Sequence, residues 1–174
     1  MRPTTIALFL IPAALITAGA LVYYAPRSAA PPPAEWKTFS QALDAAKSSR
    51  KKILVDVYTD WCTWCKKMDK DTYADGGVQS YLAEHFELAK LDAESKEVHA
   101  FKDGQFSERD IAAAFQVDGY PTTLFLTADA EMITAVPGYL PPKTFQTILE
   151  YVQTEEYKKS NWQEFSRRKG VAGE

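Results

Sequence analysis

The chain has 174 residues, 46% hydrophobic and 13% aromatic, which suits one domain with its own core and a modest tail. Its 20 Lys and Arg stand against 23 Asp and Glu, for a net charge of −3. Such a balanced surface has no basic stripe and excludes the phosphate-neutralising footprint of a nucleic-acid binder.

Thr4 to Ala25 carries no charge, with Arg2 before it and Arg27 after it. This reads as an export segment, either a cleaved signal peptide or an uncleaved transmembrane anchor. Ala18-Gly19-Ala20 has the small-x-small form of a cleavage site. The apolar run continues past it through Leu21, Val22 and Tyr24, and its length favours an anchor. Residues 1–25 are therefore assigned to a signal peptide or anchor. Residues 26–34, with Pro31-Pro32-Pro33, form a stiff extended linker. The folded domain is expected over 35–153, followed by a charged tail over 154–174.

Trp36, Phe39, Leu43 and Ala46 at helical spacing predict a helix over Trp36–Arg50. Ile53 to Tyr58 is a continuous β-rich run with one acid, Asp56, inside it, and reads as a buried strand. A helix opens at Cys62, runs to about Thr72, and is broken at Asp75-Gly76-Gly77. Val78, Tyr81, Leu82 and Phe86 suggest a second short helix, and Leu88 to Asp92 a second strand. Residues 93–107 are polar and charged and read as a surface loop or short helix. Ser107-Glu108-Arg109-Asp110 has capping-box form ahead of Ile111 to Phe115. Val117 to Pro121 turns into a strand over Thr122–Thr127. Asp129 sits in the turn to a further strand over Met132–Val136. Pro141-Pro142 starts a helix through Gln153, and the charged tail beyond is expected to be partly helical. Early strands joined by helices argue a parallel pair, and the late hairpin adds antiparallel strands. The fold class is α/β, a central mixed sheet flanked by helices.

The only two cysteines, Cys62 and Cys65, close a strand and open a helix. Thiolate rather than thiol is the nucleophile, and the unpaired N–H groups at a helix start stabilise a thiolate there. Cys62 is the candidate nucleophile. Cys65, one turn deeper, can attack a mixed disulfide made by Cys62 and release the partner. A structural staple is the blander reading, but a loop of two intervening residues constrains the unfolded chain little. Zinc normally takes four ligands, and His85 and His99 fall in no ligand spacing with the cysteines. Both histidines are expected at the surface. Copper or zinc carriage by the two thiolates is the alternative from another functional class.

Asp56, if buried, has a raised pKa and could take a proton from Cys65, directly or through a water. The alternative is an acid facing solvent from a half-buried strand. Asp69 shares the helix face of the cysteines and reads as a solvated acid. Lys90 could pair with Asp56 or lie on the surface. Trp61 and Trp64 flank the cysteines and are candidate substrate contacts. Trp64 is expected in an exposed apolar rim, whereas a core position suits Trp61 better.

Taken together, these segments resemble the thioredoxin superfamily. The matching residues are Ile53-Leu54-Val55-Asp56, then Trp61-Cys62-Thr63-Trp64-Cys65-Lys66, Ala89-Lys90-Leu91-Asp92, Gly119-Tyr120-Pro121-Thr122 and Gly138. The likeness covers about residues 35–153. Asp56 to Met68, with Asp71-Thr72-Tyr73 behind, is similar to the C-terminal periplasmic domain of DsbD-type thiol:disulfide interchange proteins. The resemblance implies a thioredoxin-like fold, with Pro121 as a cis proline beside the disulfide and the Tyr120 backbone offered to a substrate strand. It implies an extracytoplasmic oxidoreductase that reduces protein disulfides, with oxidase or isomerase action as the alternative direction. No organic cofactor or metal is expected beyond the Cys62–Cys65 pair. The expected partners are protein disulfides and a dithiol electron donor, which could be a membrane protein. The expected location is the periplasm, soluble or tethered to the inner membrane by residues 4–25. The chain departs from ordinary thioredoxin in having Thr63-Trp64 between the cysteines and a long connection over 93–107.

Overall fold

The computed structural model describes residues 34–171. The export segment expected over 1–25, and all of the 26–34 linker except Ala34, lie outside the described residues. No helix among the described residues is long and apolar enough to cross a membrane.

The first element of the described residues is a two-residue strand, β1 (Trp36–Lys37), where the sequence predicts helix. Thr38 is the reason. Its side chain accepts the Gln41 N–H while the Gln41 side chain accepts the Thr38 N–H, a capping box that starts α1 at Phe39. α1 (Phe39–Ser49) ends at Arg50, which turns left-handed at φ 58. Then follow β2 (Lys52–Tyr58), α2 (Thr63–Met68), a π-helical turn (Asp69–Tyr73), α3 (Gly76–His85) and β3 (Phe86–Asp92). The single helix expected from Cys62 to about Thr72 is thus an α-helix that widens into a π turn at Asp69. β4 (Val98–Phe101) and β5 (Gly104–Ser107) precede α4 (Glu108–Ala114), β6 (Thr122–Leu126), β7 (Met132–Pro137) and α5 (Pro142–Gln153). A 3-10 turn (Glu156–Lys158) and α6 (Trp162–Arg168) complete the described chain.

The five-stranded sheet has the order β1-β3-β2-β6-β7. β2 lies at its centre, parallel to β3 and antiparallel to β6, with Asp56 opposite Lys90 on one side and Thr123 on the other. Side chains alternate along β2. Ile53, Val55 and Val57 pack with Phe39, Leu91, Ile111 and Leu124 on one face. Leu54 packs with Met68, Leu82, Phe125 and Phe145 on the other. Both faces are covered, so Ile53 to Val57 is apolar at every position but Asp56.

Residues 93–97 form the expected loop, but the rest of the 93–107 stretch does not. Val98 to Ser107 is an antiparallel hairpin, with Val98 opposite Ser107 and Phe101 opposite Gly104. His99 and Phe101 point inward and Val98 and Ala100 outward, a period of two. The pattern is masked in the sequence because one inward residue is a histidine. His99 is accordingly buried, not at the surface. Its ring bridges Ser40 Oγ at 3.1 Å from Nδ1 and Glu108 Oε1 at 3.2 Å from Nε2. Two partners make burial of the imidazole tolerable. His85 is half-buried, its ring 4.3 Å from that of Tyr81.

The segment after α5 folds back on it. Asn161 caps α6 by accepting the Glu164 N–H at 2.9 Å. Trp162 and Phe165 then pack on Tyr151, with ring centroids 5.6 and 5.1 Å apart.

Phe39 is fully buried and joins α1 to the hairpin, its ring 5.3 Å from Phe101 and 6.5 Å from Phe115. Phe39→Ala is expected to lower stability by about 3–5 kcal/mol, the usual range for deleting a buried phenyl group. Urea unfolding checks this as a lower midpoint at unchanged slope.

Candidate active site

β2 ends at Tyr58, and a short turn carries the chain to Cys62 at the mouth of α2. The Cys62 N–H donates to the Thr59 carbonyl at 3.1 Å, which closes the turn. Cys62 is the N-cap of α2, its Sγ accepting the Cys65 N–H at 3.0 Å. The two cysteines are joined in a disulfide and are each 4% exposed. A sulfur in that position faces the unpaired N–H groups of the helix start.

The Tyr120–Pro121 peptide bond is cis and leads directly into β6. Thr122 pairs with Val57 near the end of β2, so this segment and the disulfide share one edge of the sheet. The Tyr120 ring lies 6.0 Å from Trp61, edge to face. The Pro121 carbonyl accepts the Gly138 N–H at 2.7 Å. Gly138 has φ 88, a left-handed conformation that a side chain would strain.

Asp56 is 2% exposed. Its Oδ2 accepts from Lys90 Nζ at 2.5 Å, and its Oδ1 has no hydrogen-bond partner. The same ammonium reaches Asp69 Oδ1, also at 2.5 Å, on the π turn that follows α2. Three aromatic rings surround it: Trp36 at 4.7 Å, Tyr73 at 5.1 Å and Tyr58 at 5.4 Å. Aromatic faces attract a cation, so Lys90 is held by two carboxylates and a cage. Burial raises the Asp56 pKa, and the Lys90 ammonium offsets that only in part, leaving a net rise. Burial works against the Lys90 charge, but Asp56 and Asp69 outweigh it and hold Lys90 above the usual lysine value. The Tyr73 phenol is pushed well up, by burial first and by Asp56 second. Lys90 is therefore no surface lysine, and Asp69 is an ion-pair partner rather than a free solvated acid.

Trp61 is 65% exposed and Trp64 57%, so the core position favoured for Trp61 is incorrect. Trp61 Nε1 donates to Glu94 Oε1 at 3.0 Å. That bond holds the indole outward, where its N–H has an acceptor that a core site would have to supply. Trp64 lies 5.6 Å from the Tyr139 ring, over which Lys67 Nζ sits at 5.0 Å. Sequence reasoning singled out neither Glu94 nor Tyr139, because both arrive from distant loops at no readable spacing. In the sequence Tyr73 stands out only as part of the Asp71-Thr72-Tyr73 motif, and burial beside Asp56 shows its place. Among the described residues no three His, Cys, Asp or Glu side chains gather as a metal site.

The family model of the thioredoxin-like domain matches residues 39–153. The chain is 24% identical over 108 residues to the disulfide bond reductase DsbH of Chlamydia pneumoniae, covering 62% of this chain and 64% of DsbH. It is 28% identical over 120 residues to the thiol:disulfide interchange protein DsbD of Photorhabdus laumondii, covering 67% of this chain and 19% of DsbD. The match thus spans less than two thirds of either relative. A solved thioredoxin-fold protein from Helicobacter pylori superposes with a TM-score of 0.62 at 21% identity, covering 70% of this chain and 81% of that one. That likeness is one of fold.

The raised Asp56 pKa makes stability pH-dependent. The folded state keeps the Asp56 proton to higher pH than the unfolded chain does. Its contribution is therefore complete below the ordinary carboxylate pKa and is lost as pH rises through the folded value. Asp56→Asn is expected to gain stability relative to the parent as pH rises from about 4, levelling off once Asp56 is ionised in the parent. Urea unfolding of the oxidised proteins at stepped pH checks this, and a pH-independent difference would contradict it.

Proposed function

The chain belongs to the thioredoxin-like domain family, and from that premise we propose that it is an extracytoplasmic thiol:disulfide oxidoreductase that reduces protein disulfides. The observation that carries this reading is the Cys62–Cys65 disulfide at the mouth of α2, with Cys62 Sγ receiving the Cys65 N–H.

In the reduced protein, the same N–H and the helix start would stabilise Cys62 as a thiolate. The Cys62 thiolate attacks one sulfur of a substrate disulfide. A mixed disulfide forms, and the other substrate sulfur leaves as a thiolate. Cys65 then loses its proton to Asp56, directly or through a water, and attacks Cys62 Sγ. The mixed disulfide breaks, the second substrate thiolate leaves, and Cys62–Cys65 becomes the disulfide seen here. Two electrons have passed to the substrate. An external dithiol, itself oxidised to a disulfide, restores the pair, and a membrane protein could supply it.

The burial and raised pKa of Asp56 suit a group that accepts a proton and later returns it. Trp61, Trp64, Tyr120 and Pro121 are the proposed substrate contacts around the sulfurs. The cycle holds its electrons in the cysteine pair and calls on no organic cofactor or metal. The reducing direction is supported by the name of the Chlamydia pneumoniae relative, a disulfide bond reductase. Residues 4–25 support a periplasmic site of action, soluble or tethered to the inner membrane.

The protein is expected to accelerate insulin reduction by dithiothreitol, and Cys62→Ser to abolish that activity. Cys65→Ser should accumulate a mixed disulfide that excess dithiothreitol releases. The pair should equilibrate near thioredoxin's value, about −270 mV. A value of about −120 to −180 mV would reverse the direction to oxidase or isomerase. A Cys62→Ser variant with the parental rate would end the enzymatic reading.

A further inference from the structure

Two indoles stand exposed beside a disulfide that is itself nearly buried. A loose side chain on a binding rim loses rotamer freedom on contact and returns little affinity. Neither indole is loose. Glu94 holds Trp61 by the 3.0 Å bond from Nε1, and Glu94 is in turn placed by its own N–H, which donates to Asp92 Oδ1 at 2.9 Å. Tyr139 holds Trp64 at 5.6 Å between ring centroids, and Lys67, paired with Asp71, sits over the Tyr139 ring. Glu94 follows β3 and Tyr139 follows β7. The strand order puts β3 and β7 on opposite sides of β2, whose end leads to Cys62. The two braced indoles therefore stand on either side of the nucleophile.

We propose that Glu94 and Tyr139 are specificity-determining residues. They brace Trp61 and Trp64 so that the site prefers a disulfide in an extended protein segment with apolar side chains flanking its cysteine. This rests on the oxidoreductase reading. Neither residue touches the reacting sulfurs; each is a positioning residue acting through its indole. A pre-placed aromatic surface rewards a substrate without a further ordering cost. Only a segment long enough to reach both indoles gains from both. A small disulfide, or one flanked by polar residues, gains little.

The test uses the pre-reduced protein and three disulfides: a peptide dimer with leucines flanking the cysteine, the same dimer with serines, and oxidised glutathione. Single-turnover rates are taken by acid quench and chromatography across substrate concentration. The parent is expected to favour the leucine dimer over the serine dimer by about tenfold, chiefly through apparent affinity. Glu94→Ala and Tyr139→Ala should each reduce that preference about threefold. Glu94→Gln keeps the acceptor and Tyr139→Phe keeps the ring, so both should restore it. Equal rates on the two dimers, undiminished preference in the alanine variants, or equal loss in the conservative variants would overturn the inference alone. Failure of the parent to reduce any of the three disulfides would instead bring down the oxidoreductase reading beneath it.

Discussion

Asp56 sits in the middle of β2 with 2% of its surface exposed, and burying a carboxylate costs several kcal/mol unless a counter-charge meets it. Lys90 supplies the charge from the adjacent position of the parallel strand β3. The lysine must in turn be kept where it is useful, and Trp36, Tyr58 and Tyr73 close around it. These residues come from β1, β2 and the π turn. Asp69, on that same turn, takes the remaining side of the ammonium. One buried acid thus ties the edge strand, the two central strands and the helix that carries the cysteines into a single cluster. The widening of that helix after Met68 coincides with the residues that reach Lys90 and Asp56. π turns recur at functional sites, and here the turn carries both Asp69 and Tyr73.

The remaining geometry follows from where strands end. β2 runs into the cysteine turn, β3 into the loop bearing Glu94, and β7 into Gly138 and Tyr139. β6, antiparallel to β2, begins at the same edge just after Pro121. Connections that leave different strands therefore converge on one rim, as in open α/β sheets, whose ligand crevices lie beyond strand ends. The opposite edge of the sheet carries the turn at Asp129, which pairs with Arg50 at 2.9 Å. One edge is thus given to chemistry and the other to closure of the fold.

The fold was legible where pattern and chemistry agreed. Ile53–Tyr58 reads as a buried strand and Cys62 as the start of a helix, and both are so in the structure. Legibility failed where a residue's surroundings come from far away in the chain. Val98–Phe101 alternates like a strand, but its inward positions are a histidine and a phenylalanine in a charged stretch. Ser40, fifty-nine positions earlier, and Glu108, at the start of the next helix, turn His99 into a core residue. Trp61 reads as a core aromatic by residue type. Its exposure depends on Glu94, thirty-three positions later, which accepts its N–H. Trp36 fits helical spacing, yet Thr38 caps the helix beyond it and β3 takes it as an edge strand.

By itself the sequence determined the order of β2, β3, β6 and β7 with the helices between them, the cysteine pair at a helix start and the acid six positions before it. Those are local facts, set by side-chain periodicity, capping and the spacing of reactive groups along one stretch of chain. The tertiary structure alone decided the ionisation of Asp56, the cage around Lys90, the burial of His99 and the bracing of the two indoles. Each depends on charges, rings and acceptors brought together from separate strands and loops. Electrostatic energy and burial are set by distance in space, which residue order does not encode.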